Sequence, residues 1–97
     1  MYIPEIKLAV SAETDEAKAA VGFKYADGEI GARSKLGGSP DWIQPALDVQ
    51  CDYCRIPMTF YAQIDSVGDK VMLADCGMVY VFVCFDCYES KAVVQSY

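Results

Sequence analysis

The sequence contains neither histidine nor asparagine. A Ser-His-Asp triad and a Cys-His pair both need an imidazole to accept the proton of the nucleophile, so neither can form here. Histidine metal sites and imidazole pH switches are excluded for the same reason. Without asparagine there is also no acceptor for N-linked glycosylation. These two absences remove the commonest hydrolase mechanisms.

The chain also lacks a long apolar segment. Its longest uninterrupted apolar run extends from Met78 to Phe85, which is far short of the ~18 residues that a membrane-spanning helix needs. No basic segment precedes an apolar one in the manner of a secretory signal. The composition, 54% apolar and 23% charged, is that of a folded protein, and 97 residues suffice for one domain. We therefore expect a single soluble domain, located in the cytoplasm and without a membrane partner.

Positive charge is scarce, because eight Lys and Arg residues stand against 14 Asp and Glu, for a net charge of −6. The imbalance is evenly spread: residues 1–50 carry five basic and eight acidic side chains, and residues 51–97 carry three and six. No segment forms the basic stripe that neutralises nucleic-acid phosphates, so direct nucleic-acid binding is not expected. An acidic surface serves solubility alone, or it attracts a basic protein partner.

Alternation of apolar and polar residues predicts a mainly β fold, or a small α+β fold, built on an antiparallel sheet. In the N-terminal region, residues 6–10 and residues 21–25 alternate in this way. The Asp27-Gly28 dipeptide that follows predicts a type I′ hairpin turn. Residues 29–33 are then expected to form the returning strand.

The C-terminal half contains four more predicted strands. In the first strand, alternate residues are expected to form the buried apolar face: Met58, Phe60, Ala62 and Ile64. The segment from Met78 to Cys84 is apolar at odd-numbered and even-numbered positions alike, which predicts a central strand covered on both faces. The four predicted strands are 58–64, 71–74, 78–84 and 91–97, the last with Val93 inward.

Two segments are candidates for a short helix. Residues 11–20 are polar and rich in alanine, and they fit either a short helix or a loop. In residues 34–50 a Gly-Gly pair is followed by Ser39-Pro40, which suits the start of a helix. Pro45 then ends that helix after about one turn. The two glycines are not followed by the Lys-Ser/Thr of a P-loop, so they do not predict a phosphate site.

The only tryptophan, Trp42, lies in this Gly-Gly/Trp loop directly after Asp41. Tryptophan is enriched at the energetic centres of protein interfaces. Tryptophan is also frequently buried, and this tendency favours a lid that packs on the sheet over an interface role for Trp42. Asp41 and Trp42 are the candidate partner-binding residues.

Four of the five cysteines form two Cys-x-x-Cys pairs, Cys51 with Cys54 and Cys84 with Cys87. Two such turns can supply four thiolates in a tetrahedron to one structural Zn²⁺. The 29 residues between the pairs hold predicted strands that leave one pair and return into the other, as in a zinc ribbon. With all four positions filled by protein, no site is left for a catalytic water. The fifth cysteine, Cys76, has no histidine to activate it and adjoins an acidic residue, so it is not expected to be a nucleophile.

Three other interpretations of the cysteines compete with zinc. Disulfides are disfavoured by the missing signal sequence and the odd number of cysteines. A thioredoxin-like redox site expects one pair that opens a helix, whereas here two pairs flank strands. An iron–sulfur cluster also uses four cysteines, but the plant-type and bacterial-type spacings do not match.

Several motifs occur in a characteristic order. Residues 35–44 read Lys-Leu-Gly-Gly-Ser-Pro-Asp-Trp-Ile-Gln, and Cys51-Asp-Tyr-Cys54 follows. Residues 57–65 then read Pro-Met-Thr-Phe-Tyr-Ala-Gln-Ile-Asp, and Val81-Phe-Val-Cys84 completes the set. This order resembles the YwqG-like family of bacterial proteins of unknown function and the related programmed cell death protein two family of eukaryotes.

The resemblance covers roughly residues 33 to 87, and relatives of this kind are usually longer. Residues 1–30 have no counterpart, and Arg55 stands where a zinc knuckle often has glycine. The resemblance implies no agreed enzymatic activity. It implies a protein partner, since the eukaryotic branch is thought to escort a basic ribosomal protein and bacterial relatives occur among toxin and immunity gene sets.

Taken together, the sequence predicts a non-enzymatic, zinc-stabilised protein-interaction domain that binds a basic protein, like an immunity protein or a ribosomal-protein chaperone. The alternative is a nucleic-acid-associated zinc ribbon within a larger complex. An enzyme is disfavoured, and no small-molecule substrate is evident. The expected single domain, 1–97, comprises N-terminal strands and a hairpin (1–33), the Gly-Gly/Trp loop (34–50) and a zinc-ribbon-like sheet (51–97).

Overall fold

A computed structural model describes residues 1–24 and 28–97. Its elements are β1 (Ile6–Lys7), α1 (Asp15–Ala20), β2 (Lys35–Leu36), β3 (Thr59–Asp65), β4 (Met78–Val83) and β5 (Ser90–Gln95). The five strands form one sheet in the order β1-β2-β3-β4-β5, and all neighbours are antiparallel. The predicted fold class, a mainly β antiparallel fold with one short helix, is confirmed for the described residues.

The core lies on one face of the three long strands. In β4, Met78, Tyr80 and Phe82 are at most 5% exposed, whereas the valines between them are half-buried. Met58, Phe60 and two buried cysteines complete this core. β4 pairs on both sides, as predicted for a central strand, but only one of its faces is fully covered.

A β-bulge interrupts the pairing of β3 with β4. Phe60 lies opposite Phe82, but Ala62 lies opposite Val81, so Tyr61 is an extra residue in β3. Side chains alternate between the two faces of a strand, and one extra residue therefore exchanges the faces for everything that follows it.

The bulge overturns the predicted apolar face of this strand beyond Tyr61. Gln63 and Asp65 point to the core side and are 0% and 4% exposed, whereas Ile64 points away and is 42% exposed. Burial of polar side chains is costly unless they are hydrogen-bonded. Both of these side chains form hydrogen bonds with residues that precede β3 in the chain.

Asp65 binds Arg33 through two charge-assisted hydrogen bonds, from Nε to Oδ2 at 2.9 Å and from one terminal nitrogen to Oδ1 at 2.7 Å. The backbone N–H groups of Gly31 and Arg33 also donate to Oδ2. Burial raises the pKa of the Asp65 carboxyl, but the hydrogen bonds from Arg33 and these N–H groups outweigh it and hold the pKa below its ordinary value.

Residues 41–45, the crossing segment, run over the core face of the sheet. Its backbone groups are bonded by three side chains from the three long strands, Gln63, Tyr80 and Gln95. In order, the bonds are Asp41 N–H to Gln63 Oε1 (3.0 Å), Tyr80 O–H to Asp41 O (2.8 Å), Ile43 N–H to the Tyr80 hydroxyl (3.2 Å), Gln44 N–H to Gln95 Oε1 (2.8 Å) and Gln95 Nε2 to Pro45 O (3.2 Å). The predicted one-turn helix after Ser39 is wrong, because the sheet takes the backbone groups that a helix would use.

The Gly-Gly pair lets the chain turn into the crossing segment at close quarters. Gly37 and Gly38 have φ angles of 61° and 67°. A Cβ atom on Gly37 would lie 2.3 Å from the carbonyl oxygen of Pro4, so no other residue fits there without moving the N-terminal segment.

The helix forms within the alanine-rich segment. Thr14 caps α1 by accepting a hydrogen bond from the N–H of Ala17 at 3.0 Å, and Asp15 and Glu16 lie in the first turn, where negative charge is favourable. α1 packs against none of the strands. It is the only helix among the described residues, and it is neither long nor apolar enough to cross a membrane.

Three predicted strands are wrong. In the strand predicted at residues 21–25, only Gly22 pairs among the described residues, in an isolated bridge with Gly68. Residues 28–31 form a turn in place of a returning strand, because Asp65 binds the backbone N–H groups of Gly31 and Arg33. Residues 71–74 contribute only an isolated bridge at Val71 and then a turn. Asp27, in the predicted hairpin turn, lies outside the described residues.

Candidate metal centre

Two turns carry the paired cysteines, one before β3 and one between β4 and β5. In each turn the first cysteine accepts a bond from the N–H four residues later and donates one to the carbonyl five residues later. The bonds are Arg55 N–H to Cys51 O (3.0 Å), Cys51 N–H to Ile56 O (2.9 Å), Tyr88 N–H to Cys84 O (2.7 Å) and Cys84 N–H to Glu89 O (2.8 Å). The first and second cysteine loops, residues 51–56 and 84–89, are therefore two copies of one local structure.

The two loops bring the four predicted ligands together. The Sγ atoms of Cys51, Cys54, Cys84 and Cys87 all lie within 4.8 Å of one another. Those of Cys51 and Cys87, from different loops, are 3.6 Å apart. Sulfurs at ~2.3 Å from one tetrahedral Zn²⁺ would be ~3.8 Å apart, whereas a disulfide needs ~2.05 Å. All five cysteines are free, and the cluster has the size that one metal ion requires.

The cluster lies at the boundary between core and solvent. The first cysteine of each loop, Cys51 and Cys84, is 1% exposed and belongs to the hydrophobic core. The second cysteine of each loop lies further out, with Cys54 half-buried and Cys87 exposed. A metal ion can therefore reach the sulfurs from the side of Cys87, and once bound it would be continuous with the core.

The thiols lie so close together that ionisation of one disfavours ionisation of its neighbours. The backbone N–H of Cys54, with a smaller contribution from that of Tyr53, lowers the pKa of Cys51 to about 7. The hydrogen bond with Cys87, together with burial, raises the pKa of Cys54 to about 12. Neighbouring thiols of this kind cannot all ionise unless a positive charge offsets their repulsion. A divalent cation supplies that charge, because it favours the thiolate at every ligand.

One basic side chain lies beside the first cysteine loop. The Nζ of Lys91 donates to the carbonyl oxygen of Gln50 at 2.7 Å and to Asp52 at 3.0 Å. Arg55, the basic residue that follows the second cysteine of this loop, is exposed, and its backbone has a φ of 59°.

The positive φ of Arg55 recurs at Tyr88, whose φ is 62°. Each residue directly follows the second cysteine of its loop, and each occupies the left-handed region that glycine tolerates best. The sequence pointed to Arg55 as a departure from glycine and missed Tyr88. Tyr88 directly follows the second Cys-x-x-Cys pair, and this position would have identified it from the sequence.

The other three residues singled out by the sequence are not part of the cluster of four sulfurs. Cys76 is half-buried in the turn before β4, and its carbonyl oxygen accepts a hydrogen bond from Arg33. Trp42 packs on the core, with its ring 4.7 Å from that of Tyr80 between centroids. Asp41 accepts a hydrogen bond from Gln63 at 2.9 Å, and its carboxylate is largely exposed.

No protein-family model matches this chain, and comparisons with curated proteins and with solved structures found no match either. The resemblance to the YwqG-like family stays a prediction. What the chain can do must therefore be argued from its own geometry.

Proposed function

We propose that this chain is a non-enzymatic protein-interaction domain, stabilised by one structural Zn²⁺, that binds a basic protein. The observation that carries the metal assignment is the cluster of four sulfurs within 4.8 Å, formed by two copies of one loop. Tetrahedral sites of four sulfurs hold zinc or iron. Zinc is favoured because the cysteine spacing matches neither the plant-type nor the bacterial-type iron–sulfur pattern.

The residues Cys51, Cys54, Cys84 and Cys87 would hold the ion by their thiolates, and the ion would join the two cysteine loops. The first loop leads into β3 and the second connects β4 to β5, so the metal would fasten three strands at one end of the sheet. Four protein ligands leave no coordination position for water or substrate, which makes the role structural.

The negative charge of the chain supports a basic protein as the partner. Four thiolates and one Zn²⁺ add about −2 locally to a chain whose formal charge is −6. Arg33, Lys35 and Lys91 are engaged in ion pairs with Asp or Glu among the described residues. The proposed membership of the YwqG-like family, whose implied associations are with proteins, points the same way.

Metal analysis tests the first part of the proposal. Protein purified under reducing conditions without added metal should contain about one zinc per chain by elemental mass spectrometry. Cys84→Ser should lose the metal, whereas Cys76→Ser is the matched control and should keep it. Stoichiometric iron, or a folded metal-free chain with disulfides among the four ligands, would overturn the zinc assignment.

Salt dependence tests the second part. A protein captured from the native cell should be basic, and its association with the purified chain should slow as NaCl rises from ~50 to ~500 mM, because salt screens charges beyond ~10 Å. Dissociation should change less. Capture of no protein, or specific binding of DNA or RNA at physiological salt, would contradict a protein-interaction function.

A further inference from the structure

The four cysteines of the cluster differ in their access to solvent. Cys51 and Cys84 are 1% exposed and belong to the core, Cys54 is half-buried, and Cys87 is exposed. A small molecule that approaches from solvent therefore meets Cys87 before the other three. Because four protein ligands would saturate the ion, such a molecule would meet a ligand sulfur and not an open position on the metal.

The sulfur of Cys87 also has a close neighbour in the other loop. It lies 3.6 Å from the sulfur of Cys51, although the two residues are 36 apart in the sequence. A disulfide needs ~2.05 Å between its sulfurs, so the two atoms would have to approach by about 1.5 Å. An accessible cysteine beside a second cysteine that can form a disulfide with it is the arrangement found in thiol redox sensors.

We propose that the cluster is a peroxide-sensitive switch, in which oxidation of Cys87 by hydrogen peroxide leads to a disulfide with Cys51 and to release of the bound ion. The inference rests on the zinc assignment of the proposed function and not on its protein partner. It makes Cys87 a site of oxidative modification, and it gives Cys51 a second role as the cysteine that resolves the oxidised form.

The reaction has two steps. The thiolate of Cys87 attacks one oxygen of hydrogen peroxide, so that an S–O bond forms, the O–O bond breaks and hydroxide leaves. The sulfur is oxidised to a sulfenic acid, and the peroxide is reduced. The thiolate of Cys51 then attacks the sulfur of Cys87, which forms the S–S bond, breaks the S–O bond and expels a second hydroxide. In sum, two thiolates and one peroxide give one disulfide and two hydroxide ions.

Metal binding prepares Cys87 for the first step. The thiolate and not the thiol is the nucleophile, and metal ligands of this type are held deprotonated. Among the four ligands, only Cys87 would combine this charge with an exposed position. After the second step only Cys54 and Cys84 remain as thiolates. Two ligands do not complete a tetrahedral site, so the ion is released and the two thiolates take up protons from water.

The disulfide takes over the structural role of the ion. It joins the same two cysteine loops, and therefore the start of β3 and the connection from β4 to β5. A cross-link between residues 36 apart also restricts the unfolded chain, which favours the folded one. The oxidised chain should therefore stay folded without metal, whereas a chelator applied to the reduced chain removes the ion and puts no other link in its place.

The test begins with the zinc content of the full chain in its reduced form and continues with a molar excess of hydrogen peroxide. Zinc release is followed with a dye that binds the free ion, and the remaining thiols are counted in parallel. We expect about one ion released per disulfide formed. Dithiothreitol and added zinc should restore the metal-bound form, since a disulfide is reversible. Cys76→Ser is the matched control and should behave like the unmodified chain, because Cys76 is outside the cluster.

Peptide mapping under non-reducing conditions identifies the disulfide. Trypsin cleaves after Lys and Arg, so the two loops fall on separate peptides, 36–55 and 71–91. A disulfide between Cys51 and Cys87 joins these peptides, whereas disulfides within each Cys-x-x-Cys pair leave them separate. Dimedone, which traps sulfenic acids, should label Cys87 in preference to the buried Cys84 on the same peptide.

A reduced chain that holds no zinc would overturn the proposed function, and this inference with it. A zinc-loaded chain that keeps its metal in peroxide, that is oxidised irreversibly, or that forms disulfides only within the pairs would overturn the switch alone. So would an oxidised chain that loses its thermal transition as completely as the chelated one, since the disulfide would then not replace the ion.

Discussion

The two ends of β3 are held by different chemistry. At the end near Thr59, the metal end, two cysteine loops bring four sulfurs together at the edge of the core. At the other end, the ion-pair end, Asp65 binds Arg33 and two backbone N–H groups of the N-terminal region. The seven residues of β3 separate the two ends by ~20 Å. Each end can therefore be perturbed without touching the other.

Parts of the chain that are distant in sequence are joined in a different way at each end of β3. Each cysteine loop closes within six residues, and a metal ion held by the four sulfurs would join two such local units. The ion-pair end depends on a contact between residues 32 apart, and only the folded sheet provides it. We expect the metal end to respond to chelators and the ion-pair end to respond to acid.

The largest effect is expected from removal of a metal ligand. Structural zinc contributes ~10 to 16 kcal/mol of apparent binding free energy, as much as the whole stability of a small domain. Cys84→Ser should therefore abolish most of the cooperative thermal transition in reducing buffer, and a chelator should do the same to the unmodified chain. Equal losses in Cys84→Ser and Cys76→Ser would show that the metal end is wrongly assigned.

The second prediction concerns the ion-pair end. Asp65→Asn leaves the Arg33 guanidinium, which is 15% exposed, without its counter-charge. The cost of breaking a buried pair is about 3 kcal/mol, to be measured by denaturant unfolding of the metal-bound chain. Asp75→Asn, at an exposed position, is the control and should change the unfolding free energy by less than ~0.5 kcal/mol. A variant that also lost its zinc would contradict the independence of the two ends.

The third prediction concerns Trp42 on the crossing segment, between the two ends. Trp42→Ala removes stacking on Tyr80 and Phe82 and should cost about 2 kcal/mol of unfolding free energy, since the side chain is only half-buried. Trp42→Phe keeps most of the contact and should cost less. If the melting temperature is unchanged while binding to a protein partner falls, Trp42 belongs to the interface and not to the core.

The fourth prediction is a pH dependence confined to the ion-pair end. The pKa of Asp65 is lowered in the folded chain, so its contribution is present above the unfolded pKa of ~3.9 and is lost as the pH falls through the folded value. The free-energy difference between the unmodified chain and Asp65→Asn should therefore be constant above pH ~5 and shrink below pH ~4. Acid also protonates the thiolates and releases the metal, so the difference is measured only at pH values at which both proteins still unfold cooperatively. A difference that does not shrink at any such pH below ~4 would exclude the carboxylate as its source.

The smallest effect is expected at the cysteine loops themselves. Arg55→Gly removes the strain of a left-handed backbone at a non-glycine residue, but glycine also has a larger conformational entropy in the unfolded chain, which lowers stability. The net result should be a rise in the unfolding free energy of up to ~1 kcal/mol. Arg55→Ala keeps the strain and should give no gain. Tyr88→Gly is expected to behave like Arg55→Gly, since the loops are copies. Opposite signs for the two glycine variants would show that the loops are energetically different.

The metal end could be predicted from the sequence, and the ion-pair end could not. Each Cys-x-x-Cys turn is local, and period-2 alternation located most of β3, β4 and β5. The bulge at Tyr61 arises from pairing with β4, a contact that no local pattern encodes. Ile64 was therefore assigned to the same face as Phe60, and the turn that Asp65 binds was assigned to a strand.

The crossing segment shows the same limit. Ser39 and Pro45 are local signals for the bounds of a helix, but no helix forms between them, because Gln63, Tyr80 and Gln95 supply hydrogen bonds that compete with helical ones. These side chains come from three strands, and their convergence depends on the whole sheet. Local propensity gives way in such a case because tertiary bonds satisfy the backbone equally well.

Five of the hydrogen bonds that hold the crossing segment go to its backbone, and this has a consequence for variation of the chain. Gln63, Tyr80 and Gln95 bond to amide and carbonyl groups, which every residue except proline supplies in full. Substitutions at the exposed position Gln44 should therefore cost little in a library of variants, since they remove only its exposed side-chain hydrogen bond to the carbonyl oxygen of Ser96. Insertion or deletion of a single residue between Asp41 and Pro45 should not be, because it would move each backbone group away from the side chain that binds it.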